Sequence, residues 1–185
     1  MNDTYTTEHL VIRILSPQNA GLVTEFYRRN ADDFSLYEPI NITNARTVHY
    51  QRQILEYEQR YFRSGSMVRF YFFEKNAPFT VIGTVSFREI RRGPYASCVF
   101  GYKMDQEHRR KGYCYEALKP IIDLVAEEFS LHRIYADVLP DNAASIHLLE
   151  KLGFQREGLQ RETVFLSGQW RDHYLYSRIF PENRE

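Results

Sequence analysis

Residues Glu107–Phe129 read EHRRKGYCYEALKPIIDLVAEEF, and the fold turns on them. Leu118, Ile121, Val125 and Phe129 recur at spacings of three and four, which lines one face of a helix, while Glu116, Lys119, Asp123 and Glu127 fall elsewhere. Gly112 precedes the helix, and Pro120 inside it predicts a bend. The sign of the charge at its start is unusual. Unpaired N–H groups at a helix N-terminus carry partial positive charge and favour acidic neighbours. Here Arg109, Arg110 and Lys111 stand there instead. That arrangement is unfavourable unless an anion sits among them, and a bound phosphate resolves it.

Working outward, the run YASCVFGYKM (Tyr95–Met104) upstream and RIYADVL (Arg133–Leu139) downstream both suit strands. Strand, helix and strand then form a crossover unit, which makes these two strands parallel. Ligands favour the carboxyl end of the first strand of such a unit, where the helix begins. Before it, MVRFYFFE from Met67 and TVIGTVSFREI from Thr80 read as consecutive antiparallel strands joined by the KNAPF and RRGP turns. Earlier still, HLVIRIL (His9–Leu15) suits a strand, and Ser16-Pro17 opens a helix running to about Asn30. The segment DDFSLYEPIN from Asp32 reads as a loop, followed by a helix over roughly Asn44–Arg63 that stops at Ser64 and Gly65.

Past the crossover, Asp141 or Asn142 caps a helix carrying Ile146, Leu149 and Leu152, with Gly153 as its stop and Phe154 behind it. LQRETVFLSGQWRDHYLYSRIF (Leu159–Phe180) closes the chain as a hairpin about Ser167-Gly168. The order defines a mixed α/β fold: a mostly antiparallel sheet with one parallel pair and helices on both faces, in a single domain over residues 1–185.

A chain of 185 residues with 43% hydrophobic content fills one domain with a real core. Lys plus Arg and Asp plus Glu both total 24, so no whole-protein field draws the chain to nucleic acid and any anion site is local. Cys98 and Cys114 lack metal-ligand spacing, and no metal is expected. No apolar run approaches the roughly 20 residues of a membrane span. A reduced, cytoplasmic, soluble protein is the expectation, without membrane partners.

RRKGYC (Arg109–Cys114) resembles the acyl-coenzyme A loop of the GNAT N-acetyltransferases: Arg or Gln, two residues, Gly, one residue, then Gly or Ala. Arg109 and Gly112 fill the first and fourth positions, and Cys114 departs from the small sixth. The resemblance implies acetyl-CoA as cosubstrate, its pyrophosphate clasped by backbone N–H groups of Arg109, Arg110, Lys111, Gly112, Tyr113 and Cys114. Glycine is then needed for close approach and for a φ that other residues resist. DNAASIHLLEKLGFQREG, with Asn142 near its start, resembles the next landmark of the same family. YEP at Tyr37–Pro39 and SGQWRDHYLYS at Ser167–Ser177 look like the Rim branch, the RimJ-like ribosomal-protein-alanine N-acetyltransferases, and this resemblance spans nearly the whole chain.

Direct acetyl transfer to the N-terminal alanine amine of a small-subunit ribosomal protein is what the resemblance implies. Such chemistry needs a neutral amine, a donor for the developing oxyanion and a proton for the leaving thiolate. In the family the strand before the loop splays from its neighbour, so Tyr102 and Met104 are expected to meet the coenzyme through their main chain. Many members place a tyrosine acid where this chain has Leu149; Ser145, one turn earlier, is the implied substitute. Glu38, Glu162 or a relaying water takes the amine proton. Tyr37, Glu38, Trp170, Asp172 and His173 shape the acceptor side, where carboxylates suit a cationic N-terminus. Three other readings stay open: a small amine as acceptor (a polyamine, an amino acid or an antibiotic), a non-catalytic acyl-coenzyme A sensor, and a nucleic-acid-binding module using Arg91-Arg92 and Arg109–Lys111. Monomer and homodimer are equally compatible with the sequence.

Overall fold

A computed structural model describes residues 1–35, 46–166 and 168–181. The elements in chain order are β1 (Thr4–Thr6), β2 (Leu10–Arg13), α1 (Ala20–Arg29), α2 (Ala31–Ser35), α3 (Val48–Arg63), β3 (Val68–Glu74), β4 (Gly83–Arg91) and β5 (Ser97–Met104). There follow α4 (Tyr113–Glu128), β6 (Arg133–Val138), α5 (Ala143–Lys151), β7 (Gln155–Leu166) and β8 (Gln169–Ile179). The strands form an eight-stranded sheet in the order β1-β2-β3-β4-β5-β6-β8-β7. Among the described residues its one parallel pairing is β5 with β6, as the crossover requires.

Strand alternation sends successive side chains to opposite faces and so builds two cores. Phe70 and Phe72 of β3, Cys98, Phe100 and Met104 of β5, and Ile134, Ala136 and Val138 of β6 point to one face. There they pack under Leu118, Ile122 and Val125 of α4 and Leu149 of α5. The other face carries Tyr71 and Phe73 of β3, covered by Val23, Phe26 and Tyr27 of α1, Phe34 of α2 and Leu55 of α3. Arg133, Tyr135 and Asp137, by parity, point to this second face.

The boundaries differ from expectation in four places. The short β1 pairs antiparallel with β2 through Tyr5↔Ile12, and three residues carry too little pattern to be read. The run expected as a loop from Asp32 is helical through Ser35, with Asp32 and Asp33 in its first turn, where the helix dipole favours them. α3 starts at Val48, where the Thr47 side chain accepts from the Tyr50 N–H as its cap; Asn44, the expected start, lies outside the described residues. β7 begins at Gln155, immediately after Gly153 closes α5 at a φ of 85°. Pro120 lies inside α4, which continues through it. Among the described residues no helix is long and apolar enough to cross a membrane.

Candidate active site

The parallel pairing of β5 with β6 covers Ser97↔Arg133, Cys98↔Ile134 and Val99↔Tyr135. β5 nevertheless continues to Met104 and β6 to Val138, so the two strands part company after Val99. From Phe100 to Met104, β5 has β4 on one side, in register from Phe87↔Phe100 to Gly83↔Met104, and among the described residues no strand on the other. An extended ligand would hydrogen-bond along that edge as a missing strand does, short of the Met104 carbonyl, which accepts from Arg109.

At the end of this edge the chain turns into the basic loop. Asp105, 1% exposed, accepts from Arg29 Nε at 2.8 Å, Arg29 Nη2 at 2.5 Å, Asn30 Nδ2 at 3.2 Å and the Glu107 N–H at 3.0 Å. Burial opposes its charge, but these donors win and hold the carboxyl below the usual aspartate range. Asn30 Oδ1 accepts in turn from the Gln106 N–H at 2.9 Å. The end of α1 thus fixes where the loop leaves the sheet. Arg109, expected at the phosphate, sends its guanidinium to Asp33, and its Nε donates to the Met104 carbonyl at 3.3 Å. Its side chain fastens the loop to α2 and β5, leaving the coenzyme role to its main chain. Arg110 and Lys111 are exposed beside it.

Gly112 caps α4 with φ 83°, in the left-handed region. A Cβ built there meets no protein atom within 4 Å. Within the protein, therefore, the backbone conformation and not crowding requires the glycine. The space in front of it faces the first turn of α4, whose leading N–H groups have no intrahelical acceptors. Arg110 and Lys111 immediately precede the glycine in the chain, and such a helix start favours an anion.

Beside the splay, the Tyr102 hydroxyl lies 2.6 Å from Ser145 Oγ. Ser145 sits in the first turn of α5, where its N–H donates to Asn142 Oδ1 at 3.1 Å. Asn142 is thus engaged as the helix cap, and its amide oxygen sets the position of Ser145. Burial raises the Tyr102 phenol well above the ordinary tyrosine value, reinforced by nearby Cys114 and opposed by the Ser145 hydrogen bond. The Cys114 thiol, partly buried at the loop end, is itself pushed up to about 12 by burial, so it behaves as a small apolar side chain. Sequence reasoning placed Tyr102 here for its main chain alone; its hydroxyl had no signal without α5 beside it.

On the hairpin, Glu162, Trp170 and Asp172 come together around an open recess of about 370 Å³, with Asp141 and Arg171 on its rim. Glu162 occupies a bulge between Gln160 and Val164 with φ 48°, and its N–H donates to Asp172 Oδ1 at 2.8 Å. Trp170 is 58% exposed and meets the Phe165 ring edge-on at 5.5 Å. Arg171 Nη2 donates to Asp141 Oδ2 at 2.9 Å, beside the cap of α5. His173 is not part of the recess: it is buried at 6% exposure, with Nδ1 3.3 Å from the Arg171 carbonyl. Tyr37 and Glu38 lie outside the described residues.

A buried polar group on the α1–α3 side escaped the sequence reading. Tyr71 donates to Glu58 Oε2 at 2.9 Å, and Arg69 Nε stands 3.2 Å from Glu58 Oε1. Lys103, one residue beyond Tyr102 and on the opposite face, places Nζ 3.3 Å from the Tyr27 hydroxyl and 5.3 Å from the Phe34 ring centre, and burial lowers it to about 8. Inward-facing charges in apolar runs give no periodic signal. Among the described residues no group of three or more His, Cys, Asp or Glu side chains is placed to hold a metal ion.

A splayed parallel pair, an anion-accepting helix start at its mouth and paired hydroxyls beside it define an acyl-coenzyme A-dependent transferase. The chain belongs to the acetyltransferase (GNAT) domain family, whose model matches residues 9–155. It is a GNAT-type N-acetyltransferase related to the RimJ-like enzymes. It is 35% identical over 169 residues to a probable N-acetyltransferase, YjcK, of Bacillus subtilis (strain 168), covering 91% of this chain and 90% of that one. It is 29% identical over 177 residues to the [ribosomal protein uS5]-alanine N-acetyltransferase of Escherichia coli (strain K12), covering 96% and 91%. The crystal structure of a ribosomal-protein-S5-alanine acetyltransferase from Vibrio fischeri superposes with a TM-score of 0.94 at 28% identity, covering both chains completely.

Proposed function

We propose that the chain transfers acetyl from acetyl-CoA to the N-terminal alanine amine of a small-subunit ribosomal protein, directly and without an acyl-enzyme. The observation that carries this reading is the Tyr102–Ser145 hydroxyl pair at 2.6 Å beside the unpaired edge of β5. The full-length likeness to alanine N-acetyltransferases of ribosomal protein uS5 supports the acceptor.

The pyrophosphate lies at the start of α4, held by N–H groups from Arg109 to Cys114 with Arg110 and Lys111 alongside. The pantetheine arm runs along β5 and bonds to main-chain groups at Tyr102 and Met104. When the C–S bond breaks, the electron pair stays on sulfur, and the Ser145–Tyr102 pair returns a proton to it. The carboxylates of Glu162 and Asp172 on the hairpin complement a cationic acceptor terminus.

A small polycationic amine is the second reading, favoured by the same carboxylates on a recess that also offers an indole face. Incubating the protein with acetyl-CoA and purified ribosomal proteins, then mapping N-termini by mass spectrometry, tests the first reading. One acetylated alanine terminus supports it. Acetylation of spermidine alone in a parallel assay transfers the conclusion to the second.

A further inference from the structure

We infer that Asp137 takes the proton from the acceptor amine, and this rests on the acetyl-transfer reading above. β6 is paired to β5 only as far as Tyr135, so Asp137, two residues on, belongs to the stretch of β6 that has left its neighbour. Ala136 and Val138 point into the α4–α5 core, and Asp137 therefore points to the other face. Tyr102 and Ser145 occupy the α5 side of the same gap. A thioester lying in the gap would have hydroxyl donors on one side and a carboxylate on the other. Addition of an amine and expulsion of a thiolate need that opposition, because the nucleophile enters from one face of the carbonyl while the sulfur must find its proton elsewhere.

The surroundings of Asp137 suit a proton acceptor. Burial raises its carboxyl, His173 of β8, the Gln160 side chain of β7 and Arg88 of β4 pull it down, and Glu89 of β4 pushes it up again; Tyr135 of its own strand is also within electrostatic reach. The carboxyl is thus held above the range of a solvated aspartate, which makes it a better proton acceptor. His173, buried on β8, lies on the same face of the sheet as Asp137.

An acceptor ammonium loses two protons per turnover, one ending on the coenzyme sulfur and one in solvent. Asp137 takes the first and frees the nitrogen lone pair, which forms the C–N bond as the carbonyl π pair moves to oxygen. Asp137 releases that proton to water and takes the second from the cationic nitrogen of the adduct. The oxyanion pair re-forms the carbonyl as the C–S bond breaks with its pair on sulfur; the Ser145–Tyr102 pair protonates the thiolate and is reprotonated from water, and Asp137 gives its second proton to water.

The test compares Asp137→Asn and Asp137→Glu with the unaltered protein, using acetyl-CoA with an alanine-initiated peptide of the uS5 N-terminus and, separately, with spermidine. Asp137→Asn is expected to lower kcat by about 100-fold or more. It should also abolish the acid limb of the kcat profile while leaving acetyl-CoA affinity within twofold by calorimetry, and Asp137→Glu should restore part of the rate and the limb. Glu162→Gln should change acceptor KM and keep the limb. Turnover of Asp137→Asn within threefold of the parent, with the same limb, overturns the assignment. If spermidine is acetylated and the peptide is not, the acceptor reading fails while the Asp137 comparison is still decided on spermidine. Acetylation of neither overturns both.

Discussion

The hydroxyls of Tyr102 and Ser145 face each other at 2.6 Å, although 43 residues separate them in the chain. One belongs to the strand edge that parts from β6, the other to the first turn of the helix after it. The burial that raises the phenol keeps its proton in place, so the pair can lend one proton to a sulfur and recover it from solvent. Neither hydroxyl needs to be acidic by itself.

If the pair acts as a unit, its two members are not independent. Ser145→Ala and Tyr102→Phe are each expected to lower kcat by roughly tenfold to a hundredfold, and the double variant by little more than the worse single one. Acetyl-CoA affinity should change less than threefold. Multiplicative losses in steady-state kinetics would mean two separate roles.

Gly112 is required by its φ of 83°, and the open space before it is the proposed phosphate site. Gly112→Ala should lose ~1 kcal/mol of stability through left-handed strain, whereas Gly112→Asn, which tolerates that region, should lose less. Both side chains intrude on the anion site, so both should weaken acetyl-CoA about tenfold, the worth of roughly one phosphate hydrogen bond. Chemical denaturation and calorimetry together separate the two effects.

Asp105 anchors the loop to α1, and its depressed carboxyl pKa fixes the sign of a pH effect. A carboxylate stabilised by folding contributes above its unfolded pKa, and that contribution is lost as pH falls through the lower folded value. Asp105→Asn is expected to cost about 2 kcal/mol at pH 7, less than a fully buried pair because Arg29 is partly exposed. The gap between variant and parent should narrow below about pH 4, and urea midpoints across pH 3 to 7 would follow it.

Arg91 and Arg92 offer the other basic pair from which a phosphate site could be imagined. Arg91 pairs with Ser97 at the far end of β5, seven residues from Met104, which is roughly 23 Å along a strand. Arg91 is also spent on an exposed ion pair with Glu89 at 3.2 Å. Replacing both arginines by alanine should leave kcat/KM within twofold, and a tenfold loss would relocate the anion site.

How much of this was legible beforehand follows from the reach of each signal. The crossover, the basic helix start and the capped α5 were readable because caps, glycines and 3.6-residue periodicity act within a few residues of chain. Tyr102 meeting Ser145, Asp105 collecting Arg29 and Asn30, and Asp137 standing on the freed part of β6 depend on elements brought together by the sheet. The spacing of such pairs in sequence carries no period. Arg109 shows the converse: its place in the loop was clear, but Asp33 was read as loop and the helical turn that offers its carboxylate was not foreseen. His173, placed with the acceptor residues, alternates away from them on β8 and lies buried.

The short seam between β5 and β6 has a mechanical consequence. Among the described residues three residue pairs form the ladder joining β1–β5 to the β6-β8-β7 flap, so the sheet is a hinged pair of leaves bound along part of its spine. A pantetheine arm bonded to the free edge of β5 would act as the remaining stitching. Amide exchange at Phe100–Met104 and Ala136–Val138 should then slow when coenzyme binds, far more than in β3 or β4, making the substrate a structural member of the sheet that it reacts in.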